Sequence, residues 1–127
     1  MELEELKNYQ ETFDSKHEGY FRWNSKVTDE NVELLEFLLL SLAGEVGEAA
    51  NIAKKIIRGD FSLTDKKGDL EEEIADIFIY LLKLSYQLDI SLEDAYMKKM
   101  KKNWERFEKY ENKTEVGAGC QREVHSI

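Results

Sequence analysis

Several residue types that would mark other classes of protein are scarce or missing from this sequence. Its 127 residues include no proline and one cysteine, Cys120, so no disulfide can form within a single chain. The opening stretch MELEELKNYQ is charged and lacks the apolar run of a signal peptide. No stretch reaches the roughly 18 apolar residues that are typical of a membrane span. These absences predict a cytoplasmic protein that has no membrane partner.

Positive charge is also in short supply. The chain has 18 lysines and arginines against 27 aspartates and glutamates, which gives a net charge of −9 at pH 7. Such a surface is poorly suited to wrapping nucleic acid or anionic lipid, and we expect no nucleic-acid partner. It suits a protein whose own acids hold cations, although many proteins are acidic simply because charge keeps them dispersed.

The spacing of apolar residues predicts an all-α fold. Apolar positions recur at intervals of three and four, and strand patterns are weak. We predict four helices, over about 2–16, 31–58, 67–88 and 92–111, with Gly59 ending the second and a capping box of Ser91 and Asp94 starting the fourth. The predicted apolar faces are Leu3, Leu6, Tyr9 or Gln10, and Phe13 on the first helix, and Ile74, Ile77, Leu81, Leu84 and Leu88 on the third.

The domain organisation that follows is simple. Residues 1–111 are predicted to form one four-helix, bundle-like domain, and residues 112–127 a polar and flexible C-terminal tail. The second helix is apolar nearly all round from Leu34 to Leu42, more than packing within one small bundle requires. We therefore expect helix packing between subunits, in a homo-oligomer.

Two of the predicted helices carry a pair of acids beside an apolar face. At 100° per residue, Glu45 lies within the apolar sector of the second helix, and Glu48 lies at its edge. On the third helix, Glu73 lies next to the apolar face, and Asp76 follows it at a spacing of three. If these helices pack antiparallel, as a short connection favours, the four carboxylates converge.

Four converging carboxylates repel one another unless cations lie between them. Oxygen ligands without nearby histidine or cysteine favour a hard ion, Mg²⁺, with Mn²⁺ as its substitute. A di-iron centre needs Glu-x-x-His pairs, and the two histidines, His17 and His125, lie outside the last three helices. The alternative is that each acid pair belongs to a solvated helix face, which is the common situation for a single pair.

The fourth helix adds positive charge at helical spacing. Lys99, Asn103 and Arg106 share one flank of this helix, where lysine and arginine would bind phosphate oxygens. The alternative is a solvated basic stripe. Together with the acids, this flank describes a magnesium and polyphosphate site.

The same residues resemble a known family. The sequence GEVGEAAN, with EEIADIFIYLL after it, is similar to the Glu-x-x-Glu, spacer, Glu-x-x-Asp hallmark of the MazG-like, all-α nucleoside triphosphate pyrophosphohydrolases. The hallmark falls on Glu45, Glu48, Glu73 and Asp76, and the family's later Lys…Asn…Arg segment on the flank of the fourth helix. The resemblance covers about residues 10–110.

The resemblance implies an activity and an assembly. Members hydrolyse nucleoside or deoxynucleoside triphosphates to the monophosphate and pyrophosphate, as a form of nucleotide-pool house-cleaning, and the four acids bind Mg²⁺. By this resemblance, Glu45 or Glu48 orients or deprotonates the attacking water, and the sequence does not separate base from metal ligand. A homodimer or homotetramer is implied, with sites partly built across the interface.

Within the family the chain looks closest to the single-domain, dCTP-hydrolysing branch. Tyr80 stands where that branch has a tyrosine, and Trp23 is a candidate for stacking on the base or for packing in the core. Lys55 stands where the dCTP enzymes have a tryptophan, so it either reaches phosphate or lies at the surface. Two other functions stay open: a non-catalytic helical dimerisation or regulatory module, and a phosphohydrolase that releases single phosphates.

Overall fold

The computed structural model describes residues 1–19 and 22–112, and this part of the chain is helical, without a strand. Four α-helices follow one another: α1 (Leu3–Ser15), α2 (Glu33–Ile57), α3 (Leu63–Gln87) and α4 (Leu92–Phe107). A 3-10 turn, Glu108–Tyr110, comes after α4. The predicted all-α fold is confirmed, and nearly all of the predicted C-terminal tail lies outside the described residues.

Local hydrogen bonds explain where the long helices end and begin. Gly59 has φ +92°, its N–H donates to Ile56 O at 3.0 Å, and the Asp60 N–H donates to Lys55 O at 3.0 Å. This is the Schellman arrangement, and it confirms Gly59 as the stop of α2. By contrast, α3 starts earlier than residue 67, because the Ser62 side chain accepts a hydrogen bond from the Asp65 N–H at 3.0 Å.

The fourth helix starts as predicted and ends early. Ser91 caps it by accepting from the Asp94 N–H at 3.2 Å. The α-helix ends at Phe107 rather than near 111, and the last turn tightens to 3-10, a common way for a helix to end.

The chain divides into two compact units, the first running from Met1 to Ile90 and the second starting at Ser91. In the first unit, α1 and α2 both pack against α3. Only the short connection 58–62 separates α2 from α3, so the two helices form an antiparallel hairpin. In the described part of the chain, no helix is both long and apolar enough to cross a membrane.

The buried faces differ from two of the predicted ones. On α1, Tyr9 and Phe13 are exposed, while Asp14 is fully buried. On α3, Ile74 and Leu81 are exposed, although we predicted that both would lie on its buried face. On α1 the physical reason is that Asp14 faces α3, where it accepts a hydrogen bond from Tyr86, and helical phase then turns Tyr9 and Phe13 away from α3.

The apolar core of the described residues is small. Its buried members are Leu34 and Leu38 on α2 and Leu82 and Tyr86 on α3. Two of these buried side chains come from each of the long helices, and Tyr86 also contacts α1 by donating a hydrogen bond to Asp14. The predicted acids lie on the same two helices.

Candidate metal centre

The register of the α2–α3 hairpin brings acids from its two arms to the same height. Glu45 lies twelve residues before the end of α2 at Ile57, and Glu73 lies ten residues after the start of α3 at Leu63. At 1.5 Å per residue, both are about 15–18 Å from the turn. Asp76 stands about one helical turn beyond Glu73, on the same side of α3.

The acidic side chains at this height lie close together. Carboxylate oxygens of Glu45, Glu73 and Asp76 lie within 4.8 Å of one another, and all three residues are half-buried. The Oε2 atoms of Glu45 and Glu73 are buried and have no hydrogen-bond partner among the described residues. A buried carboxylate oxygen without a donor is unfavourable, and a cation bound between these oxygens would offset that cost.

The electrostatics of the group support the same conclusion. Burial raises the pKa of Glu73 from 4.5 to about 7, with further contributions from hydrogen bonding and charge at Glu48 and then at Glu45. Burial also raises the pKa of Glu45, followed by the charges of Glu48 and Asp76. Ionising this group without a counter-ion is therefore costly, and a divalent cation would reverse that cost.

Glu48 differs from the other three predicted ligands. It is exposed and lies outside the group of three, yet it is close enough to raise the pKa of both neighbouring glutamates. Its carboxylate is therefore at the edge of the centre and in contact with solvent. That is a suitable place for a base that exchanges protons with water.

The structure places the remaining predicted residues as follows. Lys55 lies ten residues beyond Glu45 on α2, about 15 Å along the helix, so the described conformation keeps it away from the acids. Trp23 and Tyr80 flank a lysine that we did not predict, Lys83, whose Nζ lies 3.9 Å and 5.1 Å from the centres of their rings.

The predicted phosphate-binding flank lies on α4, in the second unit. Lys99 is exposed, and Asn103 is half-buried, with Nδ2 3.8 Å from Met100 Sδ. The Arg106 guanidinium lies 4.5 Å from the ring of Phe107. That this flank faces the acids stays a prediction.

The cluster around Asp14 was not predicted from the sequence. Asp14 on α1 is fully buried, accepting a hydrogen bond from the Tyr86 hydroxyl at 2.5 Å and another from Gln10 Nε2 at 2.9 Å, with Lys83 Nζ at 3.6 Å. Burial and the Asp14 carboxylate raise the pKa of Tyr86 well above its usual range, while burial lowers the pKa of Lys83 against the opposing effect of Asp14. Helical phase could have indicated this cluster from the sequence, because it puts Asp14 on the same face of α1 as Leu3 and Gln10.

The protein is thus all-α in its described part, and its candidate metal centre contains only carboxylates. The model of the MazG nucleotide pyrophosphohydrolase domain matches residues 33–110, more than half of the chain, and the chain belongs to that family. All four predicted acids lie within the matched segment.

A curated relative also matches. The chain is 35% identical over 75 residues to the Gene 37 protein of Mycobacterium phage L5, which covers 58% of this chain and 66% of the phage protein. The match therefore spans just under two thirds of that relative. No solved structure matches the chain.

Proposed function

We propose that this protein hydrolyses nucleoside or deoxynucleoside triphosphates to the monophosphate and pyrophosphate, with Mg²⁺ as cofactor and Mn²⁺ as its substitute. The observation that carries the proposal is the group of Glu45, Glu73 and Asp76, with two buried carboxylate oxygens that lack donors. Membership of the MazG family supports the type of reaction. Clearing unwanted nucleotides from the cellular pool is the role that fits this reaction.

The residues divide the chemistry among them. Glu45, Glu73 and Asp76 would hold the cation, since hard oxygen ligands are those that Mg²⁺ prefers. When bound, Mg²⁺ offsets the charge of the triphosphate and makes water a better nucleophile. The exposed carboxylate of Glu48 accepts the proton of the attacking water. The water oxygen bonds to phosphorus as the P–O bond of the bridge between the α- and β-phosphoryl groups breaks, and the products are the monophosphate and pyrophosphate.

Substrate contacts complete the proposal. Lys99, Asn103 and Arg106 bind the phosphates from α4, and Trp23 and Tyr80 bind the nucleoside. Lys55 is the weakest member of this set, because of its distance along α2 from the acids.

The assembly that we propose is a homodimer or homotetramer. Leu39 and Leu40 of α2 are 48% and 64% exposed, and Ile74 and Leu81 of α3 are exposed too. A second copy that covers these side chains would enlarge a core of only four buried apolar residues among those described. Sedimentation of the wild type and of Leu40→Glu tests this: the wild type should sediment as an oligomer, and the variant should dissociate.

A product assay tests the activity. The protein is incubated with each common ribo- and deoxyribonucleoside triphosphate, in Mg²⁺ and in EDTA, and the products are separated. Monophosphate and pyrophosphate formed only with Mg²⁺ support the proposal. Diphosphate and free phosphate would replace it with a phosphohydrolase, and no turnover on any nucleotide would leave a non-catalytic helical module.

A further inference from the structure

Lys83 lies on the same strip of α3 as the acids. Asp76, Tyr80 and Lys83 follow one another at spacings of four and three, so their side chains leave the helix on one side. Lys83 lies seven positions beyond Asp76, which is about 10 Å along the helix axis. That separation is comparable to the one between the phosphates and the base of an extended nucleotide.

The surroundings of Lys83 leave its hydrogen-bond donors partly unused. Its side chain is 12% exposed, and its Nζ lies 3.6 Å from Asp14 Oδ1, close enough for an ion pair but too far for a good hydrogen bond. The rings of Trp23 and Tyr80 cover it at 3.9 Å and 5.1 Å. An ammonium group carries three N–H donors, and aromatic faces offer them no oxygen or nitrogen acceptor.

Asp14 has a different place in the arrangement. Its two oxygens already accept hydrogen bonds from Gln10 and Tyr86, and it is fully buried, so it has no access to a ligand. The Asp14 carboxylate opposes the lowering of the Lys83 pKa by burial, and its Oδ1 lies 3.6 Å from the Lys83 Nζ. Asp14 is thus a positioning residue, and Lys83 is the group that it positions.

We propose that Lys83 reads the nucleobase of the substrate by donating a hydrogen bond to a carbonyl oxygen on the base. This inference rests on the proposed function and adds to it a residue that selects the substrate. A base that packs beside Tyr80, with its phosphates at the acids one turn away, brings its outer edge to Lys83. Partial shielding from water by Trp23 strengthens such a bond.

The chemistry of this contact predicts which bases the enzyme prefers. An ammonium group only donates, so it favours a base edge that carries a carbonyl oxygen and disfavours one that carries an amino group in that place. Guanine, hypoxanthine, uracil, thymine and cytosine carry a carbonyl, whereas adenine has none. Adenine nucleotides are therefore the substrates that Lys83 selects against.

Binding measurements on the full chain test the inference directly. The probes are the α,β-methylene triphosphates of inosine and adenosine, whose bridge resists cleavage, and inorganic tripolyphosphate, which has no base. The wild type should bind the inosine analogue about tenfold more tightly than the adenosine analogue, the effect of one hydrogen bond to a charged group. Lys83→Met should remove that preference and leave tripolyphosphate binding unchanged, which also shows that the variant is folded.

The chain provides a matched control. Lys66, near the start of α3, also has an acid and an aromatic ring as neighbours: it pairs with Asp69 at 3.0 Å and lies 4.1 Å from the centre of the Phe61 ring, far from the predicted base. Lys66→Met should keep the preference for inosine. Asp14→Asn should reduce the preference for inosine by less than Lys83→Met does, because it alters the position of the ammonium group rather than removing it.

The outcomes separate the two proposals. Equal losses on tripolyphosphate and on both nucleotides after Lys83→Met, in a variant that still unfolds cooperatively in urea, would make Lys83 a phosphate ligand and overturn the inference. A wild type without preference between the two bases would overturn it as well. If the wild type released no pyrophosphate from any nucleotide, the proposed function would fail, whatever the binding data for Lys83.

Discussion

Two clusters on α3 bury carboxylates in opposite ways. Asp14, from α1, is fully buried, and its oxygens have the Tyr86 hydroxyl, the Gln10 amide and the Lys83 ammonium as partners. In the candidate metal centre, Glu45 and Glu73 each have a buried oxygen with no donor among the described residues. Asp14 therefore has a counter-charge nearby, at Lys83, whereas no described side chain donates to those two oxygens of the candidate metal centre.

Whether a buried acid has partners within the fold distinguishes structural acids from functional ones. A buried acid with a full set of partners stabilises the packing of two helices, and removing it leaves those partners stranded. A buried acid without partners destabilises the folded chain and is useful only when a ligand supplies the missing positive charge. Substitutions in the two clusters should therefore change different properties, activity in the candidate metal centre and stability around Asp14.

The largest effect is expected at the centre of the acid group. Glu73→Gln keeps the shape of the side chain and removes its charge, so the cation loses a ligand and pyrophosphate release should fall by about a thousandfold or more. Steady-state assays with the best nucleotide substrate measure the loss.

The matched control for that substitution is the adjacent acid. Glu72 is exposed on the same helix and does not belong to the group of three, so Glu72→Gln should keep nearly all of the activity. A comparable loss in both variants would mean that general charge on α3, rather than a metal centre, governs turnover.

Removing the paired acid should act on stability. Asp14→Ala strands the Lys83 charge and the Tyr86 hydroxyl in a buried place, and we expect the free energy of unfolding to fall by about 3 kcal/mol or more. Urea unfolding of the wild type and the variant measures the difference. A change below about 1 kcal/mol, as for a pair on the surface, would remove the distinction between the two clusters.

The contrast also shows what the sequence could and could not predict. Helical phase predicted that Glu45, Glu48, Glu73 and Asp76 converge, because two long helices joined by a short turn have a nearly fixed register. The structure groups three of them and leaves Glu48 outside the group. The Asp14 cluster was not predicted, because the packing of α1 on α3 depends on the connector 16–32. Helical periodicity does not determine the path of such a connector. For the same reason the exposure of Tyr9 and Phe13 could not be foreseen from their spacing.

The metal centre should make stability depend on pH, in a direction set by its raised pKa. The pKa of Glu73 is about 7 in the folded chain and 4.5 in its ordinary state, so between these values the folded chain binds more protons than the unfolded one. The free energy of unfolding should therefore fall as the pH rises through this range. Melting temperatures in EDTA should drop from about pH 5 to about pH 8.

Two comparisons locate the origin of this pH dependence. Glu73→Gln should flatten it and melt at a higher temperature than the wild type at alkaline pH in EDTA, since it removes an unfavourable charge. Mg²⁺ should raise the melting temperature of the wild type at alkaline pH, because the ionised acids bind it. A wild type that becomes more stable as the pH rises in EDTA would contradict the assignment.

The smallest effect is expected where an acid of α3 has a partner but remains in water. Asp69 lies 3.0 Å from Lys66, closer than Asp14 lies to Lys83, yet it is exposed, with 56% of its side chain accessible. If distance decided the strength of an ion pair, Asp69→Ala would cost more than Asp14→Ala. Because water screens exposed charges, we expect Asp69→Ala to lower the free energy of unfolding by less than about 0.5 kcal/mol. Urea unfolding of the two variants side by side would then show that burial, and not the distance between charges, separates the acids that hold this fold together from those that do not.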